Sequence, residues 1–215
     1  MNLLREFAQE AAVAVTEMPE ALNGILRPEC AAIVWDRQPL ARFQDWLDGL
    51  APEQLPKTRT ILRPADVQRA VTRICDLHET PDCAEREMLI GDIAAMAHIF
   101  AEVMETDYLR MRLDVITNNA CRKFHIDAVT ARLICTYRGT GTQYGIPTDG
   151  PDPEHISTVP TGSPILLRGT RWPTRPASGL LHRSPPIEGT GETRLMLVLD
   201  PVEDPNDDAE LHLIH

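Results

Sequence analysis

The sequence predicts an α+β protein, with helices through its first half and a small barrel or sandwich of short strands in its second. Two observations predict this. Apolar residues recur at intervals of three and four up to about residue 105, and at every second position beyond it. The later half is also cut into short runs by Gly- and Pro-rich turns, among them 139–145 and 150–153, a pattern that suits a closed or double-layered β structure. The chain therefore divides into a helical region, 1–105, a strand-built core, 106–200, and an acidic tail, 201–215.

Each element follows from its own pattern. The clearest helix starts at Asp82, where Asp82 and Glu85 have the spacing of a capping box. Leu89, Ile93, Met96, Phe100 and Val103 then form one apolar stripe. A second helix is predicted after Pro64, on Val67, Val71, Ile74 and Leu77. Residues 3–15 and 39–50 carry a fainter helical pattern, and Pro28, Pro52, Pro56 and Pro64 separate the pieces. In the strand region, Leu109, Met111, Leu113 and Val115 alternate with Tyr108, Arg110, Arg112 and Asp114. Further strands are predicted at 131–137, 164–167, 179–182 and 194–199.

Composition narrows the function classes. With 43% hydrophobic and 25% charged residues among 215, the chain reads as an ordinary globular protein. It holds no apolar run long enough to span a bilayer, and Arg5, Glu6 and Glu10 interrupt the apolar start, so no membrane association is expected. A net charge of -11 and 5% aromatic residues argue against nucleic acid as a partner. The five cysteines are scattered and form no Cys-x-x-Cys pair, which suits free thiols in a cytoplasmic protein.

The chemistry concentrates in Lys123-Phe124-His125-Ile126-Asp127. On a strand, residues i and i+2 share a face, so His125 and Asp127 can grip one ion together. A neutral imidazole with a carboxylate suits Fe(II), Mn(II) or Zn(II). His182, which ends a short apolar run, is the candidate second imidazole. An isolated histidine is more often a hydrogen-bonded core or surface residue, and the H-x-D tripeptide recurs by chance. Arg194 follows His182 by twelve residues and opens the apolar run Leu195–Leu199. It either sits at the solvent edge or lies inside the barrel, where a guanidinium can fork onto a carboxylate.

The order His-x-Asp, a strand ending in Tyr, a distal His and an Arg on the last strand resembles the 2-oxoglutarate/Fe(II)-dependent dioxygenase superfamily. The same stretches resemble an uncharacterised bacterial domain-of-unknown-function family with Phe-His-x-Asp and His-Arg-Ser-Pro-Pro segments, here Phe124–Asp127 and His182–Pro186. The resemblance covers about half the chain, roughly 107–200. It implies N-terminal helices packed on a C-terminal double-stranded β-helix, a jelly-roll or cupin-like barrel. It also implies Fe(II) held by His125, Asp127 and His182, and 2-oxoglutarate bound through Arg194 with Tyr137 assisting. The expected activity is then oxygenation of a small-molecule or protein substrate. The alternative is a non-catalytic barrel that binds Zn(II) or another divalent ion for metal homeostasis.

One further feature bears on an anion site. From His155 to Ile187 there is no acidic residue, yet Arg168, Arg171, Arg175 and Arg183 fall there. They either attract an anionic ligand or decorate exposed loops. Trp172 covers the site mouth or anchors its loop. Cys121 lies about 13 Å from His125 if the chain is extended, too far to share an ion. His155, His212 and His215 lie in polar or terminal segments and read as solvated.

Overall fold

The computed structural model describes residues 13–173 and 178–206. In chain order its elements are β1 (Val13–Thr16), β2 (Ala32–Trp35), α1 (Ala41–Gly49), β3 (Thr58–Leu62), α2 (Val67–Leu77) and α3 (Ala84–Met104). Then follow β4 (Tyr108–Ile116), β5 (Ala131–Arg138), β6 (Gln143–Gly145), β7 (Ser157–Thr158), β8 (Pro164–Arg168), β9 (Leu181–Arg183) and β10 (Arg194–Val202). The fold is mixed α+β, built on a seven-stranded sheet in the order β1-β2-β8-β5-β10-β4-β3, with a three-stranded sheet β7-β6-β9.

Strand β10 explains the layering. It pairs antiparallel with both β4 and β5, so its backbone groups are satisfied on either edge. Its side chains alternate between two cores. Leu195, Leu197 and Leu199 join Leu89, Ile93 and Phe100 of α3 in the helix-side core. Met196 and Val198 point the other way and join Ile134, Ile165 and Leu167. Both faces are buried, which is why β10 reads as a continuous apolar run rather than an alternating one.

Helix α3 buries the stripe read from the sequence, Leu89, Ile93, Met96, Phe100 and Val103. The predicted capping box does not form. The helix begins after Cys83, which makes no side-chain cap, and Asp82 lies one residue too early. Glu85 and Glu87 in the first turn instead favour the positive end of the helix dipole. In α2 the buried positions are Val67, Val71 and Cys75, a strict i, i+4, i+8 stripe, while Leu77 is exposed.

The helical reading of 1–105 is incomplete. Helices α1, α2 and α3 lie there, but so do β1, β2 and β3, which form both edges of the large sheet. These strands are four or five residues long, too short for periodicity to separate them from helix. Of the predicted helix 3–15, residues 13–15 belong to β1 and the remainder lies outside the described residues. At the other end, β10 continues through Pro201 and Val202, so the first two tail residues are in the sheet. No helix among the described residues is long and apolar enough to cross a membrane.

Candidate metal centre

The segment that carries His125 is not a strand. It is an irregular connection between β4 and β5, and a single antiparallel bridge aligns it: His125 N donates to His182 O and His182 N to His125 O, each at 3.0 Å. Such a pair places both side chains on one face. His182 is fixed in turn by β9, where it stands opposite Tyr144 of β6. The connection is tied down further by Ser184 N donating to Cys121 O, and by Asn119 Oδ1 accepting from Ile187 N and Glu188 N. Cys121 thus contributes its carbonyl, while its thiol is exposed and outside the cluster.

The result is a compact triad. One ligand atom each from His125, Asp127 and His182 lies within 4.8 Å of the others. His125 Nε2 is 3.4 Å from Asp127 Oδ1, and His182 Nε2 is 3.0 Å from Asp127 Oδ2. Ligands at right angles around an ion about 2.1 Å away stand about 3.0 Å apart, so these spacings suit one divalent cation. The rings of His125 and His182 are tilted by 45° with centroids 4.6 Å apart. His125 Nδ1 donates to Lys123 O at 2.8 Å, which leaves Nε2 as the nitrogen that faces Asp127.

Electrostatics point the same way. The Asp127 carboxylate pushes the His125 imidazole upward, against the effect of half-burial. Burial by itself would raise Asp127. The contacts from both imidazoles and the Arg132 charge outweigh it and hold the carboxyl well below the usual range. Although His182 Nε2 is close, Asp127 Oδ2 is buried without a hydrogen bond of acceptable geometry. A buried carboxylate that meets one imidazole nitrogen at each of its oxygens is a donor set that suits a divalent metal ion.

Backbone crowding holds Asp127 in place. Thr170 N donates to Asp127 O at 2.9 Å, and at the adjoining Gly169 a Cβ would come within 1.9 Å of Val129 O and 2.8 Å of Asp127 O. Only glycine permits that approach. Gly169→Ala is expected to lower stability by about 1–3 kcal/mol, as overpacking does, and to weaken metal uptake. Thermal melting and metal content after dialysis check both; wild-type values in each would show that the loop yields freely.

Arg194 lies inside rather than at a solvent edge. Its side chain is fully buried and shares a sheet face with Met196, Val198 and Asp200. Nε donates to Thr140 O at 2.6 Å and NH2 lies 3.3 Å from Thr136 Oγ1, whereas NH1 has no hydrogen-bond partner among the described residues. Burial pushes its guanidinium down to about 10, so it remains charged at neutral pH. The carboxylate that acts on it through space, Glu192, has its oxygens on Thr140 N and Oγ1.

Tyr137 is not brought to this side. It lies on the helix face of β5, and its hydroxyl donates to Asp92 Oδ2 at 2.7 Å, beside the two-point Arg37–Asp92 pair. Strand alternation presents Thr136 to Arg194 instead. The arginine-rich stretch also divides. Arg168 is spent on the carbonyls of Ile25, Arg27 and Pro28 and stacks on Trp172, which anchors that loop. Arg183 stacks on Phe124 beside the triad and bonds Gln143, whereas Arg175, His212 and His215 lie outside the described residues.

A family model described as "Protein of unknown function (DUF1826)" matches residues 16–200. The chain belongs to the DUF1826 family. No curated protein matches it in sequence. Among solved structures, this DUF1826 chain is similar to the dioxygenase for auxin oxidation 1 of Arabidopsis thaliana, solved with 2-oxoglutarate. The TM-score is 0.51 at 10% identity, over 88% of this chain and 91% of that one. It is also matched by the rice dioxygenase for auxin oxidation (TM-score 0.48, 12% identity, 91% and 84% covered). A Pseudomonas putida prolyl-4-hydroxylase follows at TM-score 0.38, 14% identity, with 77% and 95% covered. The likeness to the Arabidopsis enzyme is one of fold.

Two site residues of the DUF1826 chain escaped the sequence reading, Arg132 and Asp200. Arg132 NH1 reaches Asp127 Oδ1 at 2.5 Å, while its Nε and NH2 grip both oxygens of Asp200 at 2.6 and 2.7 Å. The available signal was a charge inside or directly after an otherwise buried strand run, which is rare unless paired.

Proposed function

We propose that this DUF1826 chain is an Fe(II)/2-oxoglutarate-dependent oxygenase of the hydroxylase type, its two sheets forming a double-stranded β-helix. The observation that carries this reading is Arg194: a fully buried guanidinium whose NH1 lacks a hydrogen-bond partner among the described residues. Burying a guanidinium with no carboxylate bonded to it is costly, and Glu192 acts on it only through space, so such a group suits a ligand that brings an anion into contact with it. A metal store has no use for it, whereas a dicarboxylate chelated at the triad would present its far carboxylate to an arginine.

In this reading His125 and His182 would hold the ion through Nε2 and Asp127 through its carboxylate, three protein ligands in all. Fe(II), when bound, supplies the redox-active Lewis acid at which 2-oxoglutarate and O2 are consumed, giving succinate, CO2 and a hydroxylated substrate. Arg194 orients the cosubstrate through its free NH1, with Thr136 Oγ1 beside NH2. Ile134, Met196 and Val198 line the same face and exclude water.

Anaerobic addition of Fe(II) and 2-oxoglutarate to the full chain tests the reading. A broad visible charge-transfer band is expected from the chelate. Metal uptake without that band would overturn the oxygenase reading and favour a zinc- or divalent-metal-binding barrel.

A further inference from the structure

We propose that Arg132 is a positioning residue of the metal centre: it occupies Oδ1 of Asp127 and so assigns Oδ2 alone to the ion. The inference rests on the metal-binding reading of His125, Asp127 and His182. Arg132 stands on β5 one position before Leu133, and Asp200 on β10 one position after Leu199; Leu133 and Leu199 are register partners. The arginine and the aspartate therefore meet across the sheet, and Asp200 is essentially inaccessible to solvent.

The guanidinium is fully deployed. Nε and NH2 bind Asp200 at 2.6 and 2.7 Å in a planar fork, which fixes the plane and leaves NH1 in ion-pair contact with Asp127 Oδ1, 2.5 Å away. A lysine-like point charge would not fix that direction. The two carboxylate oxygens of Asp127 are thereby made inequivalent: Oδ1 carries the guanidinium, and Oδ2 is buried without a hydrogen bond. A carboxylate free at both oxygens can bind an ion through two points and take up an extra coordination position. One clamped at Oδ1 binds through a single oxygen and keeps that position for other ligands.

The Arg132–Asp200 pair would already be satisfied as a structural ion pair without NH1. What the structural account leaves unexplained is the third contact, to the one acidic member of the triad. Arg112 provides the contrast. Its NH2 stands 3.9 Å from Asp200 Oδ2, beyond hydrogen-bond reach, so it shares the charge environment but does not fix the geometry.

Anaerobic Co(II), added to the full chain without cosubstrate, is the probe. Its affinity is read by calorimetry and its coordination by the visible ligand-field spectrum. Arg132→Met is expected to weaken Co(II) about 10- to 100-fold, the usual effect of losing a group that orients a ligand. It should also change the band positions and intensities as Oδ1 joins the ion. Asp200→Asn should shift the spectrum in the same direction by less, and Arg112→Met should leave spectrum and affinity as in wild type. Wild-type spectrum and affinity in Arg132→Met would overturn the proposal. Should Arg132→Met not fold, Asp200→Asn, which keeps shape and volume, decides in the same way. Wild-type protein that takes up no Co(II) would overturn the metal-site reading instead.

Discussion

Asp127→Ala is expected to abolish retention of a divalent ion and, with it, metal-dependent consumption of 2-oxoglutarate. The substitution does more than remove one ligand. Asp127 is the anionic member of the triad, and it neutralises the guanidinium of Arg132, 2.5 Å from its Oδ1. Without it, a divalent cation would enter a pocket made of two neutral imidazoles beside the Arg132 guanidinium, with no anionic ligand. Removing one partner of a buried charge array costs about 3–5 kcal/mol of folding stability, so the variant should also melt earlier than wild type. The fold should survive, because Asp200 still holds Arg132 by both its oxygens. Metal content after dialysis and calorimetric titration check the result. A variant that keeps the ion with wild-type affinity would remove Asp127 from the site.

Arg194→Met should separate cosubstrate binding from metal binding. The side chain of methionine fills much of the same space without the charge. Truncating one partner of a buried charge pair costs about 2–5 kcal/mol, which corresponds to about a 30-fold or greater rise in Kd for 2-oxoglutarate. Metal affinity measured without cosubstrate should stay within a few-fold of wild type, since Arg194 contacts Thr140, Thr136 and Met196 rather than the triad. Stability gives an independent reading. Replacing an unpaired buried charge by an apolar side chain is often neutral or stabilising, so the melting temperature should hold or rise. A variant that melts much earlier while binding 2-oxoglutarate normally would mark Arg194 as a structural residue.

How far the sequence carried depended on length scale. Strands β4, β5, β8 and β10 were legible because burial on one or both faces writes period two, or a continuous apolar run, into five or more residues. Helix α3 was legible because its buried stripe runs through the whole helix. Strand β2, Ala32-Ile33-Val34-Trp35, was not, since four apolar residues fit a buried helix segment as well as a strand. Its place is fixed by pairing with β8, a segment more than a hundred residues away.

The triad shows the same division. The sequence alone determined which residue types were available for a hard divalent ion, and that two of them stand two positions apart. It did so through a strand that does not exist: His125 is aligned by one bridge to His182, with the rest of its segment irregular. Only the tertiary structure brought His182 beside His125 and Asp127, and left Arg194 a buried N–H without a hydrogen-bond partner among the described residues. Only it placed Tyr137 on the helix face against Asp92, and clamped one oxygen of Asp127 with Arg132. The reason is physical. Local patterning records whether a side chain is buried, but a charge inside a protein is defined by what it meets, and those partners come from strands and loops distant in the chain.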